Sequence, residues 1–298
     1  MTRLDHAFAT ISMDTMVNVQ VISDQPRAQV EQAVQRGFAW FDTVEQICTR
    51  FDPASEVMRL IGSAGRPVRM STLLLEAATF ALSLAEQTDG AFDPTIGARL
   101  EQMGFNTNYK TGQRVHSATT VDRVSYRDVQ IDRRAGTTLL RQPLVLDLNA
   151  VVKGLAIDLA VRELHEYANL CFEAGGDIYV RGRNAGGEAW HIGIQHPRMD
   201  GLIARSLRLA DEAVCTSGDY ERRAPGVDGE SHIIDARTRR PVTDLASVTV
   251  VAPTAMAADG LSTAAMVLGR ERGLRFLEDH AVGGVLIAPD GAIVSVNL

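Results

Sequence analysis

An aspartate, a serine and a threonine lie close together near the C-terminus, within residues 258–264 (ADGLSTA). Asp259 and Thr263 are four residues apart, so on a helix their oxygen atoms lie on one face, with Ser262 beside them. A carboxylate and a hydroxyl are hard oxygen ligands, which suit Mg²⁺ when phosphate oxygens complete its coordination. The same aspartate could instead be a helix N-cap that accepts hydrogen bonds from backbone amides. Spacing alone favours the cap and leaves the metal site open.

A second cluster lies in residues 146–154 (LDLNAVVKG). Asp147 emerges from an apolar run, and Lys153 follows at a predicted strand-to-helix turn. Amides at the start of a helix attract phosphate, and a lysine could offset its charge. The spacing is not that of a Walker P-loop, and a solvated surface lysine would give the same pattern. An anion site is therefore one interpretation of this cluster, and a solvated surface lysine is the other.

Three glycine-containing segments could bring the backbone close to a ligand, namely residues 90–94 (GAFDP), 174–177 (AGGD) and 216–220 (TSGDY). Tight turns explain them equally well, and none has the spacing of a dinucleotide-binding loop. His232 begins the run HIID, which suits a strand end that turns a side chain into a site. A hydrogen-bonded structural histidine is the simpler interpretation. No nucleophile elbow or Cys–His pairing accompanies it, so covalent hydrolase chemistry has no support.

Hydrophobic periodicity predicts the elements that carry these residues. Strands are predicted at residues 17–22, 143–148, 170–180, 191–195, 247–252, 282–289 and 292–296. Helices are predicted from Pro26 to residues 51–53, over 72–87, from near Lys153, and over 258–269 and 271–280. The strands come in pairs without a regular βαβ rhythm, which favours an α+β fold. The polar stretch at residues 106–120 is the one candidate boundary, so we expect a single domain over residues 1–298 or two closely packed lobes.

The composition is that of an ordinary globular protein. The chain has 298 residues, of which 45% are hydrophobic, and a formal charge of −7. This acidic balance argues against nucleic acid or an anionic membrane as the main partner. The three cysteines include no Cys-x-x-Cys pair, so a zinc site is not expected. No apolar run reaches the ~18 residues of a membrane span, and no signal peptide is recognisable, so we expect a cytoplasmic protein.

Taken together, the motifs resemble those of the FAD:protein FMN transferase family, also called ApbE, in the same order and across nearly the whole chain. The matching segments are residues 13–15 (MDT), 50–56 (RFDPASE), 90–94 (GAFDP), 146–154 (LDLNAVVKG), 175–177 (GGD), 216–220 (TSGDY), 232–235 (HIID) and 258–264 (ADGLSTA).

The resemblance implies a T-fold-like α+β core of mainly antiparallel sheet with packed helices. It implies that the protein binds FAD and Mg²⁺ and moves FMN from FAD to a threonine or serine of an acceptor protein, with release of AMP. Acceptors of the family carry a motif resembling Asp-Gly-x-Ser/Thr-Gly-Ala-Thr. Two alternatives remain, an FAD pyrophosphatase that yields FMN and AMP, and an FAD-binding protein without turnover.

The resemblance also assigns roles to individual positions. The implied metal ligands are Asp259, Thr263, Ser262 and the backbone carbonyl of Ala150. The implied FAD contacts are Met13, Ala91, Phe92, Asp93, Asp147, Lys153 and Ile233, with Phe51 placed to stack on the flavin ring. His232, with Asp259 and Thr263, is the implied catalytic group, either acting directly or shaping the site.

Three features depart from the family pattern. Asn149 places an amide side chain near the expected pyrophosphate, where a smaller residue is usual. Asp14 stands where glycine is common, close to the expected flavin contact of Met13. Many relatives are exported lipoproteins, whereas this chain opens without a lipobox cysteine.

Overall fold

The computed structural model describes residues 4–117, 123–220 and 231–298. The helices are α1 (Arg27–Cys48), α2 (Glu56–Ile61), α3 (Thr72–Gln87), α4 (Gly97–Gln102), α5 (Asn149–Glu163) and α6 (Ala255–Asp279). The strands are β1 (Leu4–Ser12), β2 (Thr15–Ser23), β3 (Val68–Arg69), β4 (Val129–Asp132), β5 (Thr137–Leu140), β6 (Leu170–Ala174), β7 (Asp177–Arg181), β8 (Trp190–Gln195), β9 (Ile203–Leu209), β10 (Glu212–Gly218), β11 (Ile234–Asp235), β12 (Arg240–Pro241), β13 (Ser247–Ala252), β14 (Gly283–Ile287) and β15 (Ile293–Val296).

A large sheet forms the centre of the described part of the chain. Its strands follow the order β1-β2-β6-β7-β10-β13-β14-β15, and every neighbouring pair is antiparallel. The expected α+β architecture with a mainly antiparallel sheet is therefore confirmed. β3, β5 and β4 form a separate small sheet, and β8 pairs with β9 alone.

The helices cover one face of the large sheet and bury the main core. Along α1 the predicted apolar face is buried, and the Phe41 ring stacks on Phe172 of β6 at 5.6 Å between centroids. α5 packs between α1 and α6, and apolar residues are buried on several of its sides. The opposite face of the sheet buries a second cluster beneath the β8–β9 ribbon, including Trp190 and Leu209.

Several predicted elements are confirmed at or near their bounds. α3 covers residues 72–87 as predicted, because the Ser71 hydroxyl accepts a hydrogen bond from the Leu74 amide and caps its start. The strands predicted at 17–22, 191–195, 247–252, 282–289 and 292–296 are present as β2, β8, β13, β14 and β15. The stretch predicted as 170–180 is two strands, β6 and β7, since Gly175 and Gly176 adopt φ of 56° and 88° and turn the chain back.

The strand predicted at residues 143–148 is wrong. This segment is extended and buried, but its only ladder contact among the described residues is a single parallel bridge between Val145 and Ile96. Its backbone instead bonds to a loop: Gly97 N donates to Val145 O at 3.1 Å, and Asp147 N donates to Pro94 O at 2.8 Å. Apolar composition indicated burial correctly, but none of the strands in the described ranges pairs with this segment.

The C-terminal helices also differ from expectation. The two helices predicted at 258–269 and 271–280 are parts of α6, whose backbone leaves helical geometry at Gly269 with φ 77° and ψ 179°. α5 begins at Asn149 rather than near Lys153. Within the described ranges, the elements that were not predicted are α2, α4, β1, β3, β4, β5, β9, β10, β11 and β12.

The division into one or two lobes stays a prediction, because residues 118–122, which overlap the candidate boundary at 106–120, lie outside the described residues. None of the helices in the described ranges is long and apolar enough to cross a membrane.

Candidate active site

The candidate site lies where α5 and α6 cross. At Gly154 the helices are so close that an added Cβ would come within 2.4 Å of Ala255 O. The Asp158 carboxylate, one turn further along α5, accepts hydrogen bonds from Ala255 N at 2.7 Å and Met256 N at 2.9 Å. These are the first amides of α6, so a side chain of one helix holds the start of the other. Burial raises the pKa of Asp158 to about 6.

Asp259 faces this crossing from α6. It is buried, and its Oδ2 accepts a hydrogen bond from Gly154 N at 3.2 Å. In an α-helix the amide of residue 154 points toward the carbonyl of residue 150. The Asp259 carboxylate therefore approaches α5 on the side of the turn that begins with Ala150.

Asp259 is not the N-cap of its helix. That position belongs to Thr254, whose hydroxyl accepts a hydrogen bond from Ala257 N at 3.2 Å. Asp259 follows five residues later, beyond the amides that a cap could reach. The capping interpretation, which spacing alone favoured, is wrong because α6 begins earlier than the sequence pattern suggests.

Three hydroxyl groups meet beside Asp259. Ser217 Oγ of β10 lies 2.7 Å from Ser262 Oγ and 2.9 Å from Thr263 Oγ1. Ser262 Oγ donates to the carbonyl oxygen of Asp259 at 2.8 Å. Ser262 is completely buried, whereas Thr263 is half-buried. The two helical hydroxyls are thus tied to a strand of the large sheet.

Lys153 adds a positive charge next to the crossing. Its Nζ lies 2.7 Å from Oδ2 of Asp177, the first residue of β7, and a quarter of the lysine side chain remains exposed. Oδ1 of the same aspartate accepts a hydrogen bond from Thr216 N of β10 at 3.2 Å. Asp177 therefore holds the lysine beside the strand that carries Ser217.

Asp147 belongs to a buried ionic cluster. Arg50 Nε donates to Asp147 Oδ2 at 2.7 Å, and Arg50 Nη1 lies 3.6 Å from Glu101 Oε1. Only 3% of the arginine side chain is exposed. Its guanidinium also lies 4.2 Å from the centre of the Phe51 ring, so one face of that ring is occupied. The second oxygen of the Asp147 carboxylate accepts a hydrogen bond from Asn149 N at 3.0 Å.

The remaining predicted contacts surround this cluster. Arg50 Nη2 donates to Phe105 O at 2.6 Å, and the Phe105 ring lies 6.0 Å from that of His232. Ala91, Phe92 and Ile233 are buried in the main core. Asp93 is buried too, and burial raises its pKa.

The polar groups of Asp93 and Ala91 form hydrogen bonds within the protein. Asp93 accepts hydrogen bonds from Thr95 N, Thr95 Oγ1 and Tyr126 N at 2.7–2.9 Å. Ala91 O accepts a hydrogen bond from Ala236 N at 3.0 Å. The Asp93 carboxylate and the Ala91 carbonyl are thus both engaged within the protein.

Met13 and Asp14 form the two-residue turn between β1 and β2, with φ of 51° and 60°. Both angles lie in the left-handed region, which explains why glycine suits position 14 and why aspartate, which tolerates that region, can replace it. The loop after α4 bridges this turn to Phe51: Asn108 Nδ2 donates to Phe51 O at 3.1 Å, and a backbone group of Asp14 hydrogen-bonds the Tyr109 hydroxyl.

One segment links two of the predicted clusters. Segment 147–154 joins the Arg50 cluster to the helix crossing, since Asp147 precedes α5 and Gly154 contacts Asp259. Sequence reasoning gave no role to Arg50, Asp158, Asp177 or Ser217. Two of these, Asp177 and Ser217, lie within motifs that were noticed for their glycines.

The donor set fits Mg²⁺ rather than a transition metal. No group of three or more His, Cys, Asp or Glu side chains able to hold a metal occurs in the described part of the chain. The crossing offers one carboxylate, one half-buried hydroxyl and a helical carbonyl. Mg²⁺ prefers few protein oxygens and completes its coordination with water and substrate phosphate.

The cysteines take no part in this chemistry. Cys48 and Cys215 are buried and Cys171 is partly buried. Burial raises the pKa of the Cys48 and Cys171 thiols to about 12 and that of Cys215 well above its usual range, so none is an activated nucleophile.

An α+β fold whose helix crossing carries a buried carboxylate, a hydroxyl and an adjacent lysine has groups of the kind that phosphoryl chemistry uses. Comparison with known proteins gives the family. The ApbE family model matches residues 13–286. FAD:protein FMN transferase of Treponema pallidum is 31% identical over 313 residues, covering 96% of this chain and 85% of the relative. That of Klebsiella pneumoniae is 29% identical over 294 residues, covering 94% and 83%.

Solved structures agree. The ApbE protein of Thermotoga maritima has a TM-score of 0.85 at 29% identity, covering 98% of this chain and 96% of its own. The flavinyl transferase ApbE of Pseudomonas stutzeri in its apo form has a TM-score of 0.81 at 28% identity, covering 99% and 95%. The chain belongs to the ApbE family. The predictions of that family and of a transferase are confirmed.

Proposed function

We propose that the protein is a Mg²⁺-dependent FAD:protein FMN transferase, which moves FMN from FAD to a threonine or serine hydroxyl and releases AMP. The observation that carries the proposal is the α5–α6 crossing, where Gly154 N holds Asp259 Oδ2 beside Thr263 and next to Lys153. Such a site suits a pyrophosphate, whose negative charges need a metal and a cation nearby.

In the proposed reaction the acceptor hydroxyl oxygen attacks the FMN phosphorus. The bond from that phosphorus to the bridging oxygen breaks, and AMP leaves with the electron pair. Bound Mg²⁺ would neutralise charge on the pyrophosphate oxygens. Asp259, Thr263 and the Ala150 carbonyl would hold that ion, and the Lys153 ammonium would contact the phosphates. His232, which is half-buried, is our candidate to receive the hydroxyl proton.

The rest of FAD would lie along the path from the crossing to the β1–β2 turn. We assign contacts to Met13, Phe51, Ala91, Phe92, Asp93, Asp147 and Ile233. The Phe51 ring would stack on the flavin with the face opposite Arg50. Asp147, fixed by the same arginine, would accept a hydrogen bond from the ligand.

The proposal is tested by incubating the purified protein with FAD, MgCl₂ and an acceptor domain carrying an Asp-Gly-x-Ser/Thr-Gly-Ala-Thr-like motif. We expect fluorescent acceptor on a denaturing gel, an added mass equal to FMN, and one AMP per label. Free FMN and AMP without labelled protein would indicate a pyrophosphatase instead. FAD that stays intact would indicate a binding protein without turnover.

Variants locate the chemistry. Asp259→Ala is expected to abolish Mg²⁺-dependent turnover, whereas Asp279→Ala, an exposed carboxylate near the end of the same helix, is expected to leave it unchanged. Lys153→Ala is expected to weaken FAD binding, with Arg162→Ala, exposed on the same helix α5, as its control. Normal turnover in Asp259→Ala would overturn the metal assignment, and unchanged affinity in Lys153→Ala would remove the lysine from the site.

A further inference from the structure

The three hydroxyls beside Asp259 form a chain in which the direction of every proton is determined. Ser262 Oγ lies 2.8 Å from the backbone carbonyl oxygen of Asp259. A carbonyl oxygen can only accept, so the single Ser262 proton points to it. Ser262 must then accept in its 2.7 Å contact with Ser217. The single proton of Ser217 is therefore directed to Ser262.

The same reasoning fixes the direction of the Thr263 hydroxyl proton. Because the Ser217 proton is already used, Ser217 must accept in its 2.9 Å contact with Thr263 Oγ1. The Thr263 proton thus points back toward β10. The lone pairs of Thr263 Oγ1 are then the part of the hydroxyl left to act as a ligand, and Thr263 is only half-buried.

From this order we infer that Ser217 is a positioning residue, which orients the Thr263 hydroxyl so that it presents a lone pair rather than a proton to the metal. The inference rests on the proposed function, since it concerns the same Mg²⁺ site. It also gives Ser262 a different role from the ligand expected from resemblance. Ser262 is completely buried and has both a donor and an acceptor partner inside the protein, so it anchors the chain and does not reach the ion.

β10 is well placed for this role because its position is fixed from both sides. It pairs with β7 and β13, and Thr216 Oγ1 lies 2.8 Å from Thr249 Oγ1 of the neighbouring strand. Thr216 N also donates to Asp177, the partner of Lys153. One strand therefore supports both the proposed ligand hydroxyl and the proposed phosphate-binding lysine.

The test measures Mg²⁺ binding apart from turnover. The FAD-loaded protein is titrated with MgCl₂, and the rise in Tm gives the half-saturating Mg²⁺ concentration. Loss of one orienting hydrogen bond in Ser217→Ala is expected to raise that concentration about fivefold to tenfold. Ser217→Thr, which retains the hydroxyl, is expected to stay within about twofold of the parent protein on the same reasoning.

Two further variants separate orientation from direct ligation. Ser262→Ala frees the Ser217 proton to point at Thr263, so it should weaken Mg²⁺ binding as much as Ser217→Ala. The double variant should bind Mg²⁺ no more weakly than either single variant, because all three lose the same ordered hydrogen bonds that direct the Thr263 proton. Independent ligands would instead multiply their effects, and that outcome overturns the inference, as does an unchanged Mg²⁺ requirement in Ser217→Ala.

Asp259→Ala separates a test of the proposed Mg²⁺ site from a test of the role of Ser217. A normal Mg²⁺ response in Asp259→Ala would refute the metal site itself. Loss of the response in Asp259→Ala together with a normal response in Ser217→Ala would refute only the role of Ser217. If Ser217→Ala does not fold, as judged by circular dichroism, the comparison of Ser262→Ala with Ser217→Thr decides the same point.

Discussion

Gly154→Ala probes how closely the site depends on the packing of α5 against α6. The added Cβ would meet Ala255 O at 2.4 Å, Ala255 C at 2.5 Å and Met256 Cα at 2.6 Å. All three are backbone atoms, so no side-chain rotation can relieve the overlap. The helices must separate by at least about 0.6 Å to bring the nearest pair to 3.0 Å.

Two opposing effects set the loss of stability. Alanine is a better helix former than glycine by about 1 kcal/mol, whereas overpacking of this kind costs about 1–3 kcal/mol. We expect a net loss of up to about 2 kcal/mol in the free energy of unfolding. The same separation lengthens the 3.2 Å hydrogen bond from Gly154 N to Asp259 Oδ2. A displacement approaching 1 Å at a catalytic site can lower the rate about a hundredfold.

Urea unfolding and FMN transfer are the two measurements, and Gly37→Ala is the matched control. Gly37 lies in α1 and faces the same helix α5, but its added Cβ would lie 3.5 Å from Ala160 O, an ordinary contact. That variant should gain about 0.5–1 kcal/mol and keep its activity. Normal stability and normal transfer in Gly154→Ala would refute the close-packed crossing as the support of Asp259.

Three further predictions concern stability. Burial raises the pKa of Asp158 from 3.8 to about 6, so the folded state binds the Asp158 proton more tightly than the unfolded state does. The stability that protonation adds is therefore full below about pH 4 and is lost as the pH rises through 6. Asp158→Asn should remove this pH dependence of the unfolding free energy, as measured by urea titrations at several pH values. Arg50→Met leaves the buried carboxylates of Asp147 and Glu101 without their cation and should lower the unfolding free energy by about 3–5 kcal/mol; a loss below 1 kcal/mol would contradict the ion-pair assignment. Asp14→Gly relieves a φ of 60° and should stabilise the protein by up to about 1 kcal/mol in the same assay, whereas destabilisation would show that the aspartate side chain supports the turn.

Local signals predicted the elements that depend on local interactions. α3 has its predicted bounds because its start carries a serine cap and its apolar residues recur at helical spacing. The shared face of Asp259 and Thr263 followed from a separation of four residues. The alternative cap at Asp259 was wrong because the signal that starts the helix is Thr254, five residues earlier.

Features that depend on contacts between residues far apart in the sequence could not be predicted from local signals. Ser217 lies 45 residues from Ser262 in the sequence, and the register of β10 on β13 brings them together. The segment at residues 143–148 has strand-like composition, yet its partners form a loop rather than a strand. Arg50 looked like part of a helix terminus, and only the folded chain places it between Asp147 and Glu101.

The strand order of the large sheet has a consequence for biosynthesis. From one edge to the other the strands follow their order in the chain, and the excursions are the segment between β2 and β6, the β8–β9 ribbon and the β11–β12 pair. Each new strand can therefore pair with one already made as the polypeptide leaves the ribosome, N-terminal part first. Asp259 and Thr263 come from α6, which emerges after β13, so a nascent chain cannot assemble the proposed metal site until most of the sheet exists. A chain that ends before α6 would thus lack both of the proposed metal ligands that this helix carries.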